Sequence, residues 1–91
     1  MNRIEARVVI CNELGLHLRA AASFVKLAER FKSDVTLERN GTSANGKSII
    51  ALVTLAAAKG TPVDVVATGE DAQEAVEALV ALVEDRFGED T

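Results

Sequence analysis

Residues 35–48 read VTLERNGTSANGKS, and the way this run is divided decides the fold. Counted from Gly41, the octet GTSANGKS matches the phosphate-loop pattern G-x-x-x-x-G-K-[ST] at every required position. Counted from Val35, it is an alternating strand with Val35 and Leu37 on one face, an Asn40-Gly41 turn, and a short return strand from Thr42 to Asn45. The second division is favoured. Asn-Gly is a strong signal for a two-residue turn that needs positive φ at both central positions. A phosphate loop also belongs to a parallel sheet with crossover helices, and needs an acidic residue on another strand to help hold magnesium. The 91 residues leave little room for that. The hairpin makes the sheet mostly antiparallel.

Downstream, Ser48 is placed to cap a short helix, IIALVTLA, with Gly60 and Thr61-Pro62 closing the segment. Val63, Val65 and Ala67 then alternate with Asp64, Val66 and Thr68 as a strand. Asp71 is placed to cap a last helix whose core face is Ala72, Ala75, Val76, Leu79, Val83 and Phe87. The acidic tail after Gly88 is expected to fray. Upstream, RIEARVVI (residues 3–10) alternates, with Ile4, Ala6 and Val8 on one side and Arg3, Glu5 and Arg7 on the other. Residues 11–16 connect it to a helix from about Leu18 to Phe31, whose apolar set is Leu18, Ala21, Ala22, Val25, Ala28 and Phe31. The order is βαββαβα, an α+β chain of one domain, 1–91. Two long helices and one short helix cover one face of four strands and leave the other wet. Strand order is not fixed by the sequence.

Composition narrows the function. The net charge is −4, there are three phenylalanines with no tryptophan or tyrosine, and no basic stripe occurs, which argues against a nucleic-acid binder. No apolar run approaches the roughly 20 residues that span a bilayer. The N-terminus carries charge within its apolar run and lacks a cleavage pattern, unlike a signal peptide. A single cysteine, Cys11, forms no internal disulfide. Together these features favour the cytoplasm.

The only histidine, His17, falls where the first strand's connection enters the first helix. A lone histidine there is often only a cap. Here Gly15 precedes it by two and Arg19 follows by two. Unpaired helix-start N–H groups favour phosphate and disfavour an imidazolium. Arg19 adds a planar fork of donors suited to phosphate oxygens. A neutral imidazole in such a cradle can accept a phosphoryl group and release it. A catalytic triad has too few parts here. Zinc ligation is equally poor, with one histidine and one cysteine, so no metal or other cofactor is expected. Ser48 offers a hydroxyl at a helix start, where phosphate would meet unpaired amides and add charge beside Ile49, Ile50 and Val53. With Leu18, any exposed part of that apolar group would form a docking surface.

GLHLRAAASFVKLAERF (residues 15–31) resembles the active-site stretch of the HPr family, the histidine phosphocarriers of the bacterial phosphotransferase system, usually GLHARPAA. NGKSIIALVTLAA (45–57) is similar to the family's second signature, around a regulatory serine. The likeness covers essentially the whole chain. It implies an open-faced β-sandwich with a four-stranded antiparallel sheet. It implies a monomeric carrier, not an enzyme. On that likeness, His17 Nδ1 takes phosphate from phosphorylated enzyme I, charged by phosphoenolpyruvate. The phosphoryl group then passes to IIA domains of sugar permeases or a nitrogen-branch equivalent. Arg19 would stabilise the phosphate, and Ser48 would be the target of HPr kinase/phosphorylase. The chain departs from the usual pattern at Ala20, where proline is common, and at Leu18, where a small residue or threonine is common. Both departures bear on partner choice. The competing expectation is a regulatory paralogue acting through Ser48 and protein contacts alone; such paralogues typically lack the histidine.

Overall fold

The computed structural model describes residues 2–91. Four strands, β1 (Arg3–Val9), β2 (Asp34–Arg39), β3 (Thr42–Asn45) and β4 (Pro62–Thr68), form one sheet in the order β1-β4-β2-β3. Every pairing is antiparallel. Three helices, α1 (Leu18–Ala28), α2 (Ile49–Thr54) and α3 (Ala72–Glu84), are followed by a single 3₁₀ turn over Arg86–Gly88. The expected βαββαβα order holds, and the layout is an open-faced sandwich.

The register explains which face is apolar. Val65 on the central strand β4 lies opposite Ala6 on β1 and Leu37 on β2, and Leu37 lies opposite Ala44 on β3. Val65, Leu37 and Ala44 of that row, with Ile10, Phe24, Leu52, Leu79 and Val83, belong to the buried core, and Ala6 packs against its margin. Side chains alternate along a strand, so their neighbours face solvent. There Arg7 donates to both oxygens of Asp64 at 3.0 and 3.2 Å and holds that carboxyl below its usual range. Val66, also on the outward face, is nevertheless buried between its cross-strand neighbours Glu5 and Thr36.

Each required residue of the octet GTSANGKS has a structural task. Asn40 and Gly41 both have positive φ, 53° and 86°, as the hairpin turn demands. A Cβ on Gly46 would lie 2.5 Å from Val35 Cγ1, while its N–H donates to the Val35 carbonyl at 2.7 Å. Lys47 Nζ donates to the Phe31 carbonyl at 2.8 Å. Ser48 Oγ accepts from the Ala51 N–H, capping α2.

Three expectations need correction. First, α1 ends at Ala28, not Phe31, and its buried stripe is Ala20, Ala21, Phe24, Val25 and Ala28. The helix turns Phe24, the largest buried side chain, inward, and that rotation leaves Leu18 66% exposed. Second, Asp71 does not cap its own helix. Its carboxylate accepts from the Ser33 hydroxyl at 2.6 Å and from the N–H groups of Lys32 and Ser33 at 2.9 Å, tying the α1–β2 connection to α3. The Ser33 hydroxyl first, then the Lys32 amide, hold it at about 2. Third, the tail is not frayed. After α3 stops at Glu84, Arg86, Phe87 and Gly88 take φ of 55°, 54° and 80°, a reversal that sends the last residues back over the start of α1. Phe87 is buried at the bend and Glu13 N–H donates to the Thr91 carbonyl.

Candidate functional site

The site is built on the connection between β1 and α1. Asn12 is fully buried, and its amide donates to the Gly15 carbonyl at 2.8 Å, folding the loop on itself. Gly15 has φ +69°, and a Cβ there would meet the Ala57 carbonyl oxygen at 2.6 Å. That same carbonyl accepts from Leu16 N–H at 2.9 Å. Glycine thus lets the loop lie against residue 57, which fixes where the next residue emerges.

That residue, His17, is the N-cap of α1, extended at φ −79°, ψ −179°. Its carbonyl accepts from Ala21 N–H at 2.8 Å, opening the helix ladder. Nδ1 accepts from Arg19 N–H at 3.3 Å, and Nε2 lies 2.6 Å from Glu89 Oε2. These partners assign the ring's proton. An atom that accepts from an N–H carries a lone pair, so the hydrogen sits on Nε2 and points at the carboxylate. The cap is therefore an imidazole whose lone-pair nitrogen, Nδ1, faces the positive end of α1, while its other nitrogen is held from behind. The side chain is 23% exposed, open enough to be reached by another protein.

Glu89 is the residue that sequence reading missed. Its second oxygen accepts from Asn12 Nδ2 at 3.0 Å, so one carboxylate joins the folded loop to the histidine. Burial pushes this carboxyl up, but hydrogen bonds from Asn12 and His17 and the nearby charge of Arg19 outweigh it and hold it below the usual range. Arg19 itself is exposed, in the first turn of the helix, on the same open groove that Ser23, Phe87 and Glu89 line.

The apolar patch is partly as expected. Leu18 and Ile50 are exposed at 66% and 80%, and Val53 lies at the margin. Ile49 instead packs against the core, because it follows the cap directly and turns inward. Leu14, 65% exposed in the loop, extends the patch towards the histidine. Ser48 is half-buried, its hydroxyl occupied in capping, so it is less open than expected. The residues described form no cluster of potential metal ligands, and no helix among them is long and apolar enough to cross a membrane.

The chain is similar in sequence and fold to known proteins. A family model described as the PTS HPr component phosphorylation site matches residues 4–85. The phosphocarrier protein HPr of Xylella fastidiosa (strain 9a5c) is 43% identical over 88 residues, 97% of this chain and 99% of that protein. The HPr-like protein Crh of Bacillus subtilis (strain 168) is 46% identical over 82 residues, 90% of this chain and 96% of that protein. Among solved structures, HPr from Thermoanaerobacter tengcongensis superposes with a TM-score of 0.92 at 40% identity, covering 97% of this chain and 99% of that one. HPr from the same organism is also solved as a dimer, with a TM-score of 0.76 at 41% identity over 90% of this chain and 94% of that one.

Proposed function

Since the chain belongs to the HPr family of phosphotransferase-system phosphocarriers, we propose that it carries phosphate on His17 Nδ1. The observation that supports this most is the lone pair on Nδ1 at the start of α1. Phosphorylated enzyme I donates the group, and a IIA domain of a sugar permease or its nitrogen-branch equivalent receives it. The phosphate formed at Nδ1 lies where helix-start N–H groups point, and the exposed Arg19 guanidinium can swing onto its oxygens. Neither contact encloses the phosphate, which suits a group that must leave again. Leu14, Leu18, Ile50 and Val53 give partners an apolar surface beside the ring. One chain holds every group this reading uses, so the carrier needs no second copy to act, and we propose that it works as a monomer.

The test is incubation with phosphoenolpyruvate and enzyme I. Acid-labile phosphate should appear on the protein and not on His17→Ala; uptake by that variant refutes the reading. Arg19→Ala should slow transfer without changing the fold.

Ser48 is proposed as the regulatory site for HPr kinase/phosphorylase. Its hydroxyl must leave the Ala51 N–H to be phosphorylated, and the phosphate then replaces it as an acceptor for the same amides while placing charge beside Ile50. Acid-stable label from ATP should vanish in Ser48→Ala. The likeness to Crh keeps a regulatory role through Ser48 alone as the second reading. Phosphohistidine formation on this chain separates the two.

A further inference from the structure

Accepting a phosphoryl group through Nδ1 changes the charge of the imidazole ring, and the structure places a carboxylate against the opposite nitrogen. Nδ1 uses its lone pair to form the N–P bond, and the bond between phosphorus and the donor breaks with its electron pair leaving on the donor. Nε2 keeps its hydrogen throughout. The ring has then gained a positive charge, spread over both nitrogens, while the phosphoryl group keeps its negative oxygens. Onward transfer reverses this: the N–P electron pair returns to Nδ1 and a neutral ring with hydrogen on Nε2 is left. No proton has to be lost or recovered, provided that the hydrogen on Nε2 has a partner that holds it in every state.

We infer that Glu89 is that partner, a positioning residue that keeps His17 in the Nε2–H form and stabilises the ring cation formed during transfer. This inference rests on the reading of His17 as the phosphate acceptor. Three observations carry it. Glu89 Oε2 is 2.6 Å from Nε2, the shortest contact the ring makes, and lies 72 residues away in sequence. The carboxylate is itself fixed, because its other oxygen takes the amide of the buried Asn12. The chain is bent to deliver it: three consecutive residues, Arg86, Phe87 and Gly88, hold left-handed backbone angles, and two of them are not glycine. Such angles persist only where the surroundings over-determine them. Here the surroundings are the buried Phe87 ring on one side and the Asn12–Glu89–His17 chain on the other. A carboxylate that orients an imidazole and favours its cation is a general device for directing which nitrogen reacts.

The effect belongs to the transfer step and not to docking, since Glu89 stands behind the ring and is only 16% exposed. Phosphoryl uptake should be followed by rapid quench over a range of phosphorylated enzyme I concentrations, for the unaltered protein, Glu89→Ala, Glu89→Gln and Asp90→Ala. The maximal rate should fall on the order of tenfold or more in both Glu89 variants, with the half-saturating concentration unchanged and Asp90→Ala unaffected. Glutamine keeps the length but loses the charge, and cannot accept from both Asn12 and His17 with one oxygen.

A second measurement does not use transfer at all. His17 is the only histidine, so ¹⁵N-labelled histidine gives one ring. A slowly exchanging proton bonded to Nε2 is expected in the unaltered protein and lost in Glu89→Ala. Maximal rates equal to the unaltered protein in either Glu89 variant overturn the inference, as does a ring proton found on Nδ1. A change confined to the half-saturating concentration also overturns it, making the tail a partner contact. If the unaltered protein takes up no phosphate, the carrier reading and this role fall together; the Nε2 proton would then still be present, which distinguishes that outcome.

Discussion

Gly15 sits two residues before His17 at φ +69°, with the Ala57 carbonyl oxygen 2.6 Å from where a Cβ would be. Gly41 has a similar backbone angle, +86°, but nothing within 4 Å of its would-be Cβ. The pair separates two costs that are usually confounded. Alanine at either position pays the left-handed backbone penalty, about 1–2 kcal/mol. Only Gly15→Ala also collides with backbone. Relieving that collision means moving two loops apart by most of an ångström, at the level of a core overpacking, about 1–3 kcal/mol. The Leu16 N–H to Ala57 carbonyl hydrogen bond of 2.9 Å is stretched in the process, adding about 1 kcal/mol. The sums are about 1–2 kcal/mol for Gly41→Ala and about 3–6 kcal/mol for Gly15→Ala. A chain of this length has about 5–14 kcal/mol in total. In a domain of this size each kcal/mol is worth roughly 4–8 °C of Tm.

Differential scanning calorimetry should therefore place Gly41→Ala roughly 4–16 °C below the unaltered protein and Gly15→Ala roughly a further 8–32 °C down. The difference should also reach function. Below both transitions, Gly41→Ala should accept phosphate at the unaltered rate, because the hairpin is remote from His17. Gly15→Ala should be slower by more than tenfold, since a misplacement of about 1 Å can cost on the order of a hundredfold. Equal Tm values for the two variants would show that no close approach exists at Gly15, and the account of how the loop aims His17 would be wrong.

Phe87→Ala should lower stability by about 3 kcal/mol, the lower end for a buried phenylalanine because the site lies near the chain end and can close. Urea unfolding checks the value, and the same variant should lose the Nε2 proton signal of His17; an intact signal would mean that the bend is not what holds Glu89. Asp71 gives a pH signature. Its folded value of about 2 lies below the ordinary 3.8, so its contribution is complete above the unfolded value and disappears as pH falls towards 2. The Tm gap between the unaltered protein and Asp71→Asn should thus be widest above pH 5 and nearly closed at pH 2, and a gap independent of pH would contradict the assignment. Ser48→Ala should cost about 1 kcal/mol of stability through the lost cap, whereas Ser48→Asp keeps a capping oxygen and should stay near the unaltered Tm. The aspartate should nonetheless raise the half-saturating concentration of enzyme I by placing charge beside Ile50; tighter binding would contradict a regulatory role.

What could be read beforehand depended on how local the cause was. The Asn40-Gly41 turn and the Ser48 cap are decided within four residues, and both stand as expected. The pairing of β1 with β4 joins residues 3–9 to 62–68, and nothing local to either strand selects it. The rotation of α1 was misread because Leu18 and Ala22 fit an apolar period as well as Ala20 and Phe24 do. Only the packing of Phe24 into the core chooses between them, and that choice exposes Leu18 next to His17. Asp71 was read as a cap because a cap is what an aspartate before a helix most often does; a connection from another part of the chain claimed its oxygens instead.

The site divides along the same line. Its acceptor, its arginine and its helix start are contiguous, so a motif of a few residues discloses them. The anion that balances them comes from the opposite end of the chain, in a segment whose composition alone suggests a loose tail. An acidic residue after a helix-ending glycine carries no local mark of its purpose. The mark is the apolar residue just before that glycine: a buried Phe87 ties the chain down two residues ahead of Glu89, leaving the carboxylate little freedom over where it lands. The division has a chemical consequence. On the proposed reading, charges on the Nδ1 side, from the helix and Arg19, favour keeping the phosphate, while the charge on the Nε2 side favours the ring as a cation, the form in which nitrogen most readily gives the phosphate up. A carrier needs both, since too much of the first would trap the phosphoryl group. With Arg19 exposed on the phosphate side and Glu89 held behind the ring, Arg19→Ala should slow uptake more than onward transfer and Glu89→Ala should slow both. If Arg19→Ala slowed the two directions equally, the separation of roles across the ring would fail.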